Sequence, residues 1–311
     1  MRRRVIGKYN GEEKGPLLVV FGAMHGNENA GIKAIDLMIK MLEVEPITNP
    51  EFSYKGRVLG LVGNLNALKE KKRFIDRDLN RCWTRENVEK AFDPDNNQQF
   101  AELSEIRSII QLIIKEIKTY KPTKLYILDL HTTSSGGGIF TIVPEDPESL
   151  AIGEKLEAPV ITNMTKGLIG TTMQYFTTEN MGVDTMCLTF ESGQHNDPLS
   201  VNRAIAAITN CMKIIGSIDA EHIENRHNIL LTEYSRNLPK FSRLIMKHEI
   251  TPEDGFVMKE GYYNFKKVKK GEVLGYDKKG MVKSKYSGLV LMPLYQKQGD
   301  EGFFIVREMD M

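Results

Sequence analysis

The chain lacks the features that tie a protein to the cell exterior or to a membrane. Its 311 residues include three cysteines, Cys82, Cys187 and Cys211. An odd number without a Cys-x-x-Cys spacing argues against a disulfide framework and fits a reducing compartment. Charge of one sign is also missing: 42 lysine and arginine residues face 41 aspartate and glutamate residues, which leaves no net field to attract nucleic acid or an anionic membrane. The basic runs Lys69–Arg73 and Lys266–Lys270 are short and read as solvated faces. No segment reaches the roughly 18 consecutive apolar residues that a membrane helix needs. After Met1-Arg2-Arg3-Arg4 only Val5-Ile6 precedes Gly7, too little apolar sequence for a secretory signal. Internal repeats and low-complexity tracts are absent too. The expectation is a cytoplasmic protein without nucleic-acid or membrane partners, either a monomer or a homo-oligomer.

With 41% hydrophobic residues, the chain can bury a substantial core and is long enough for two domains. Up to about residue 222, candidate strands at 17–22, 57–63, 124–130, 158–163 and 185–191 alternate with candidate helices at 29–43, 98–119, 148–156 and 199–217. The second helix carries a clear apolar stripe, from Phe100 and Leu103 to Ile114 and Ile117, and ends before Pro122. Such alternation predicts an α/β sheet covered on both faces. Beyond residue 225 the texture changes to short β-forming segments, at 240–247, 256–259, 262–268, 273–276, 281–283 and 288–295, separated by Gly, Pro and Asp signals. These predict a small all-β C-terminal domain, residues 225–311, after a first domain at 1–224. The boundary is expected near Asn225, in the charged stretch Glu221–Asn228.

Two fragments carry most of the chemistry. Leu17-Leu18-Val19-Val20-Phe21 reads as a buried parallel strand. A helical spacing of apolar residues follows from Ala30 to Leu42, so His25 falls on a strand-to-helix turn and Glu28 in the first helical turn. A second strand ends in Asp129-Leu130-His131 and runs into Thr132-Thr133-Ser134-Ser135-Gly136. In open α/β sheets ligands bind outside the carboxyl ends of strands, where both fragments sit. Two imidazoles and one carboxylate can hold a zinc ion and leave its fourth position to water, which reads as a hydrolase. Strand alternation puts Asp129 on the same face as His131, suited to fixing the imidazole tautomer. Either fragment alone equally suits a core histidine beside an ordinary acidic strand end.

Two further segments bear on the same crevice. Arg73-Phe74-Ile75-Asp76-Arg77-Asp78-Leu79-Asn80-Arg81 concentrates charge. An arginine fork there can bind a carboxylate with help from the Asn80 amide, provided the backbone is irregular enough to turn both side chains the same way. Read alone, the segment also suits a charged surface turn. Glu191 ends the strand Met186–Phe190 before Ser192-Gly193, and a free carboxylate at such a site can serve as general acid and base.

These four segments, in this order, resemble the succinylglutamate desuccinylase/aspartoacylase family, relatives of the zinc carboxypeptidases that cleave N-acyl amino acids. The resemblance rests on His25-Gly26-Asn27-Glu28, on Asp78-Leu79-Asn80-Arg81 preceded by Arg73, on Asp129-Leu130-His131, and on Glu191-x-Gly193. It implies a carboxypeptidase-like α/β/α sandwich with a mixed sheet, followed by a small β domain. It also implies one zinc per chain held by His25, Glu28 and His131, carboxylate binding by Asn80 and Arg81, carbonyl polarisation by Arg73, and acid/base work by Glu191. The reaction would be hydrolysis of an N-acyl amino acid by zinc-activated water. The alternatives are a metallocarboxypeptidase acting on short peptides, and a non-catalytic binding protein on the same fold.

Some residues depart from the pattern. In aspartoacylase an arginine ten residues before the base glutamate helps hold the substrate's side-chain carboxylate; here that position is Met181, and no Arg or Lys occurs between Gly167 and Asn202. A tyrosine near the aspartoacylase C-terminus closes on the substrate, whereas Gly302-Phe303-Phe304 has no hydroxyl, leaving Tyr295 as a candidate replacement. The expected substrate therefore has a neutral or basic side chain.

Overall fold

Alternate residues of the Leu17–Phe21 run enter two different cores. Leu17, Val19 and Phe21 join Ile106, Ile109 and Ile113, while Leu18 and Val20 join Ala34, Ile35, Ala204 and Ile208. A strand sealed by helices on both faces has no polar side, and for that reason reads as a continuous apolar run. The computed structural model describes residues 3–97, 100–219 and 226–309. Its strands are β1 (Val5–Asn10), β2 (Glu13–Gly22), β3 (Lys55–Val62), β4 (Leu125–Thr133), β5 (Phe140–Ile142), β6 (Val160–Thr162) and β7 (Thr185–Gln194). The C-terminal part adds β8 (Phe241–Glu249), β9 (Val257–Met258), β10 (Lys267–Val268), β11 (Val273–Asp277), β12 (Gly280–Lys283), β13 (Gly288–Leu291) and β14 (Glu301–Glu308).

Eleven strands form one mixed sheet in the order β1-β3-β2-β4-β7-β5-β6-β8-β14-β13-β10. The central run β3-β2-β4-β7 is parallel, and β5 joins β7 antiparallel. Helices Ala30–Thr48 and Leu199–Ile214 cover one face, and helix Ala101–Tyr120 covers the other. The expected α/β/α layering with a mixed sheet is therefore present, followed by a small antiparallel sheet β12-β11-β9.

The C-terminal strands do more than form a separate body. β6 pairs in parallel with β8, Val160 with Phe241 and Thr162 with Arg243, so the main sheet continues into β8, β14, β13 and β10. A small core of Met258, Tyr262, Leu274, Val282, Val290, Phe303 and Ile305 lies in this part of the chain. The boundary expected near Asn225 lies outside the described residues. Three strands, β1, β5 and β14, were not among those expected. Helix Ala30–Thr48 runs past the expected end at 43, with Pro46 inside its last turn.

Candidate metal and hydrolase site

Strands β2, β4 and β7 lie side by side and parallel, so the residues at their carboxyl ends share one corner. His131 and Glu191 are direct cross-strand partners and project on the same face of the sheet. His25 and Glu28 reach this corner from the turn after β2. Glu28 precedes the helix, which starts at Ala30, rather than sitting in its first turn. Gly26 is required by contact: a Cβ there would lie 2.1 Å from the Ala67 carbonyl carbon. That close approach lets the Gly26 N–H donate to the Arg73 carbonyl at 3.0 Å, tying the His25 turn to the arginine-rich loop.

Glu28 sits between the two imidazoles. Its Oε1 is 2.8 Å from His25 Nδ1, its Oε2 is 3.2 Å from His131 Nδ1, and Oε2 also accepts from the Thr132 N–H at 2.9 Å. The far nitrogens face aspartates: His25 Nε2 lies 3.0 Å from Asp78 Oδ1, and His131 Nε2 lies 3.1 Å from Asp129 Oδ2. If each Nε2 keeps its proton for its aspartate, both Nδ1 lone pairs point at the same spot as the carboxylate. One ligand atom from each of His25, Glu28 and His131 lies within 4.8 Å of the others, and all three side chains are buried. Burial alone would raise the Glu28 carboxyl, but His25 and His131 hold it well below the usual carboxylate range. An anionic carboxylate between two oriented imidazoles is the donor set of a catalytic zinc site, and the residues fit such an ion.

The arginine-rich loop owes its shape to a buried acid. Glu102, in the first turn of helix Ala101–Tyr120, accepts from the backbone N–H groups of Ile75, Asp76 and Arg77 at 2.8, 3.3 and 3.1 Å. The loop then tightens into a single 3-10 turn, Leu79–Arg81, capped by Asp78, which accepts from the Asn80 N–H at 2.8 Å. This irregular turn puts Asn80 and Arg81 on the same cleft. Arg73 donates through Nε and Nη2 to Asp78 Oδ2 at 3.1 and 2.8 Å, and its Nη1 lies 3.6 Å from Glu28 Oε1. Arg81 donates through Nε and Nη2 to the two oxygens of Glu301 at 3.0 and 2.9 Å, and through Nη1 to the Asn80 carbonyl at 2.7 Å.

Glu191 differs from the other acids. It is buried, and its Oε2 has no hydrogen-bond partner. Burial, with Glu28 acting in the same direction and His131 opposing, pushes its carboxyl up from 4.5 to about 7. A carboxyl raised in this direction is of the kind that suits an acid/base group. Gly193 follows with φ +110, and a Cβ there would lie 2.7 Å from Arg203 Nη1.

The succinylglutamate desuccinylase/aspartoacylase catalytic-domain model matches residues 14–215, a stretch that includes every motif above. The chain belongs to the succinylglutamate desuccinylase/aspartoacylase family. It is 25% identical to a probable aspartoacylase of Nostoc sp. over 244 residues, covering 75% of this chain and 70% of the relative. It is 27% identical to a succinylglutamate desuccinylase of Shewanella frigidimarina over 268 residues, covering 83% and 72% of the two chains. The crystal structure of a succinylglutamate desuccinylase from Vibrio parahaemolyticus superposes with a TM-score of 0.63 at 20% identity, covering 96% of this chain and 83% of that one, which shows a shared fold.

Within this desuccinylase/aspartoacylase chain, His25, Glu28, Arg73, Asn80, Arg81, His131 and Glu191 all line one cleft, and Asp129 stands behind His131. Three contributors were not expected. Asp78 orients His25, Thr172 donates to Asp129 Oδ2 at 2.8 Å and through its N–H to Asn80 Oδ1 at 3.0 Å, and Glu301 holds Arg81. Asp78 stood inside a motif already singled out, so its role was within reach of the sequence. Tyr295 is no replacement for the aspartoacylase tyrosine. Its hydroxyl shares one proton between the backbone carbonyls of Lys259 and Tyr262, 2.8 and 3.1 Å away, and it does not line the cleft, whereas Phe304 does. Met181 is likewise away from the cleft, buried in the core. Among the described residues, no helix is long and apolar enough to cross a membrane.

Proposed function

We propose that this protein is a zinc-dependent amidohydrolase that cleaves the amide bond of an N-acyl amino acid. The observation that carries the reading is the buried His25/Glu28/His131 set, with both Nδ1 atoms turned to Glu28, beside the Glu191 carboxyl, whose Oε2 has no partner. A zinc ion held by His25, Glu28 and His131 would polarise the amide carbonyl and lower the pKa of a water. Asp78 and Asp129 keep the two imidazoles in the tautomer that leaves Nδ1 free. Glu191 takes a proton from the attacking water and returns it to the departing nitrogen. Arg73, fixed by Asp78, donates toward the developing carbonyl oxygen. Arg81 gives Nε and one Nη2 N–H to Glu301 and one Nη1 N–H to the Asn80 carbonyl, so one N–H on each Nη is left for the substrate's α-carboxylate, and the Asn80 amide sits next to it. The products are a carboxylic acid and a free amino acid.

In this reading the part of the chain after residue 225 walls the cleft, to which it contributes Met292, Leu294, Gln296, Glu301 and Phe304. A cytoplasmic location accords with three free, buried cysteines. The test is a liquid-chromatography screen of zinc-loaded and chelator-stripped protein against N-acyl amino acids and short peptides. Release of free amino acid from the acyl compounds, lost on stripping, is the expected result. Cleavage confined to peptides would make the protein a metallocarboxypeptidase, and no turnover of either class would leave a binding protein.

A further inference from the structure

The cleft that carries the metal-ligand set has two unlike sides. One is polar and charged, but its cations are already matched. Arg73 is paired with Asp78 and Arg81 with Glu301, and no lysine lines the cleft among the described residues. The carboxyl of exposed Asp300, beside Glu301, is raised by partial desolvation and by the neighbouring Asp78 and Glu301, as expected where negative charge is already crowded. The one N–H left on each Nη of Arg81 suffices for one carboxylate. A second anionic group would find no unmatched cation.

The other side is apolar. Met164 and Leu168, with Met173 from the short helix Thr172–Tyr175, meet Met292, Leu294 and Phe304 from the C-terminal part of the chain. The first group follows β6, the second lies in β14 or just after β13, and all six residues line the cleft. Leu168 and Met173 are 7% and 8% exposed, so their surfaces are already largely dry. Unbranched methionines at three of these six positions can adapt to apolar groups of different shape. A charged group placed here would lose its hydration without gaining a partner.

Resting on the deacylase reading above, we infer that this site selects substrates with one carboxylate and one apolar group, held against the Met164/Leu168/Met173 wall, in preference to dicarboxylate and cationic N-acyl amino acids. The apolar group can be the amino-acid side chain or the acyl chain, which share one chemistry. One missing or misplaced methylene in an apolar pocket is worth roughly 10- to 200-fold in kcat/KM, and the preference should lie in that range.

The experiment compares N-acetyl derivatives of leucine, methionine, glutamate and lysine, and separately N-acetyl with N-hexanoyl glycine, on the zinc-loaded protein and on Met173→Lys. Wild type should favour leucine and methionine over glutamate by about tenfold or more. Met173→Lys, which supplies a cation on a flexible stem, should shift the leucine-to-glutamate ratio toward glutamate by a similar factor. A gain on passing from acetyl to hexanoyl glycine would assign the apolar wall to the acyl chain, and a gain confined to the side-chain series would assign it to the side chain. Calorimetric binding of the same compounds to the zinc-loaded Glu191→Gln protein provides a readout that needs no turnover. If binding follows the apolar preference but wild type hydrolyses nothing, the deacylase reading falls and the selectivity stands. Equal or tighter binding of the glutamate or lysine derivative by the Glu191→Gln protein, in which Met173 is intact, overturns the inference, whatever Met173→Lys does. A ratio unmoved by both Met173→Lys and Leu168→Lys overturns it as well.

Discussion

Replacing Glu191 by glutamine separates the demands of folding from those of chemistry, and the two effects have opposite signs. The carboxyl is 5% exposed, its Oε2 meets no donor, and burial raises its pKa from 4.5 to about 7. The folded chain therefore holds this proton more tightly than the unfolded chain. The associated stability is fully present below the unfolded value near 4.5 and is lost as the pH rises through about 7. At about 1.4 kcal/mol for each tenfold change in proton affinity, the loss between pH 5 and pH 8 comes to about 2 to 3 kcal/mol in the metal-free protein. Glutamine keeps the shape and has no acidic proton to lose. Urea unfolding of chelator-treated wild type and Glu191→Gln at the two pH values measures the difference directly. The variant's stability relative to wild type should improve by about 2 to 3 kcal/mol from pH 5 to pH 8. The zinc-loaded variant should retain its metal and lose kcat by on the order of 10²–10⁴-fold. A stability difference that stays constant across this pH range would refute the raised pKa, and zinc loss from Glu191→Gln but not from Glu28→Gln would reverse the roles of the two carboxylates.

Metal analysis should find about one zinc per chain in wild type and none in a His25→Ala, His131→Ala double variant; full occupancy in the double variant would remove these residues as ligands. Asp78→Asn should weaken zinc binding by about 10- to 100-fold in a competition titration with a chromophoric chelator, because an amide no longer fixes the His25 tautomer as a carboxylate does; unchanged affinity would make Asp78 a partner of Arg73 alone. Arg81→Lys keeps the charge but loses the planar fork, so kcat/KM for free acids should fall while hydrolysis of the corresponding amides changes little; equal hydrolysis of acid and amide by wild type would remove the carboxylate clamp.

The parts of the fold that were legible in the sequence are those where burial follows a local period. The stripe Leu103, Ile106, Ile109, Ile110 and Ile113 became the buried face of helix Ala101–Tyr120, and each strand expected before residue 225 is present. The strands that escaped have reasons in their sequences. β1 is a half-exposed edge strand with no apolar run, and β5 is only three residues long, after Gly136-Gly137-Gly138. In β14, Phe303 and Ile305 enter the small C-terminal core while Phe304 and Val306 enter the main one, so two-sided burial erases the alternation and leaves four apolar residues between charges.

The site divides along the same line. His25 and Glu28 are three residues apart on one turn, and Asp129 and His131 two apart on one strand, so local geometry alone could pair them. Asp78 reaches His25 across 53 residues, Thr172 reaches Asp129 across 43, and Glu301 reaches Arg81 across 220. No local period encodes such contacts; they exist because β3, β2, β4 and β7 are neighbours and because β14 extends the same sheet. These long-range contacts, with the local pair Asp129 and His131, hold the reactive side chains in place. Glu301 occupies Nε and Nη2 of Arg81, and Asp78 faces Nε2 of His25. The local motifs supply the reactive groups, and the topology of the sheet determines which of their lone pairs and N–H groups remain available to a ligand.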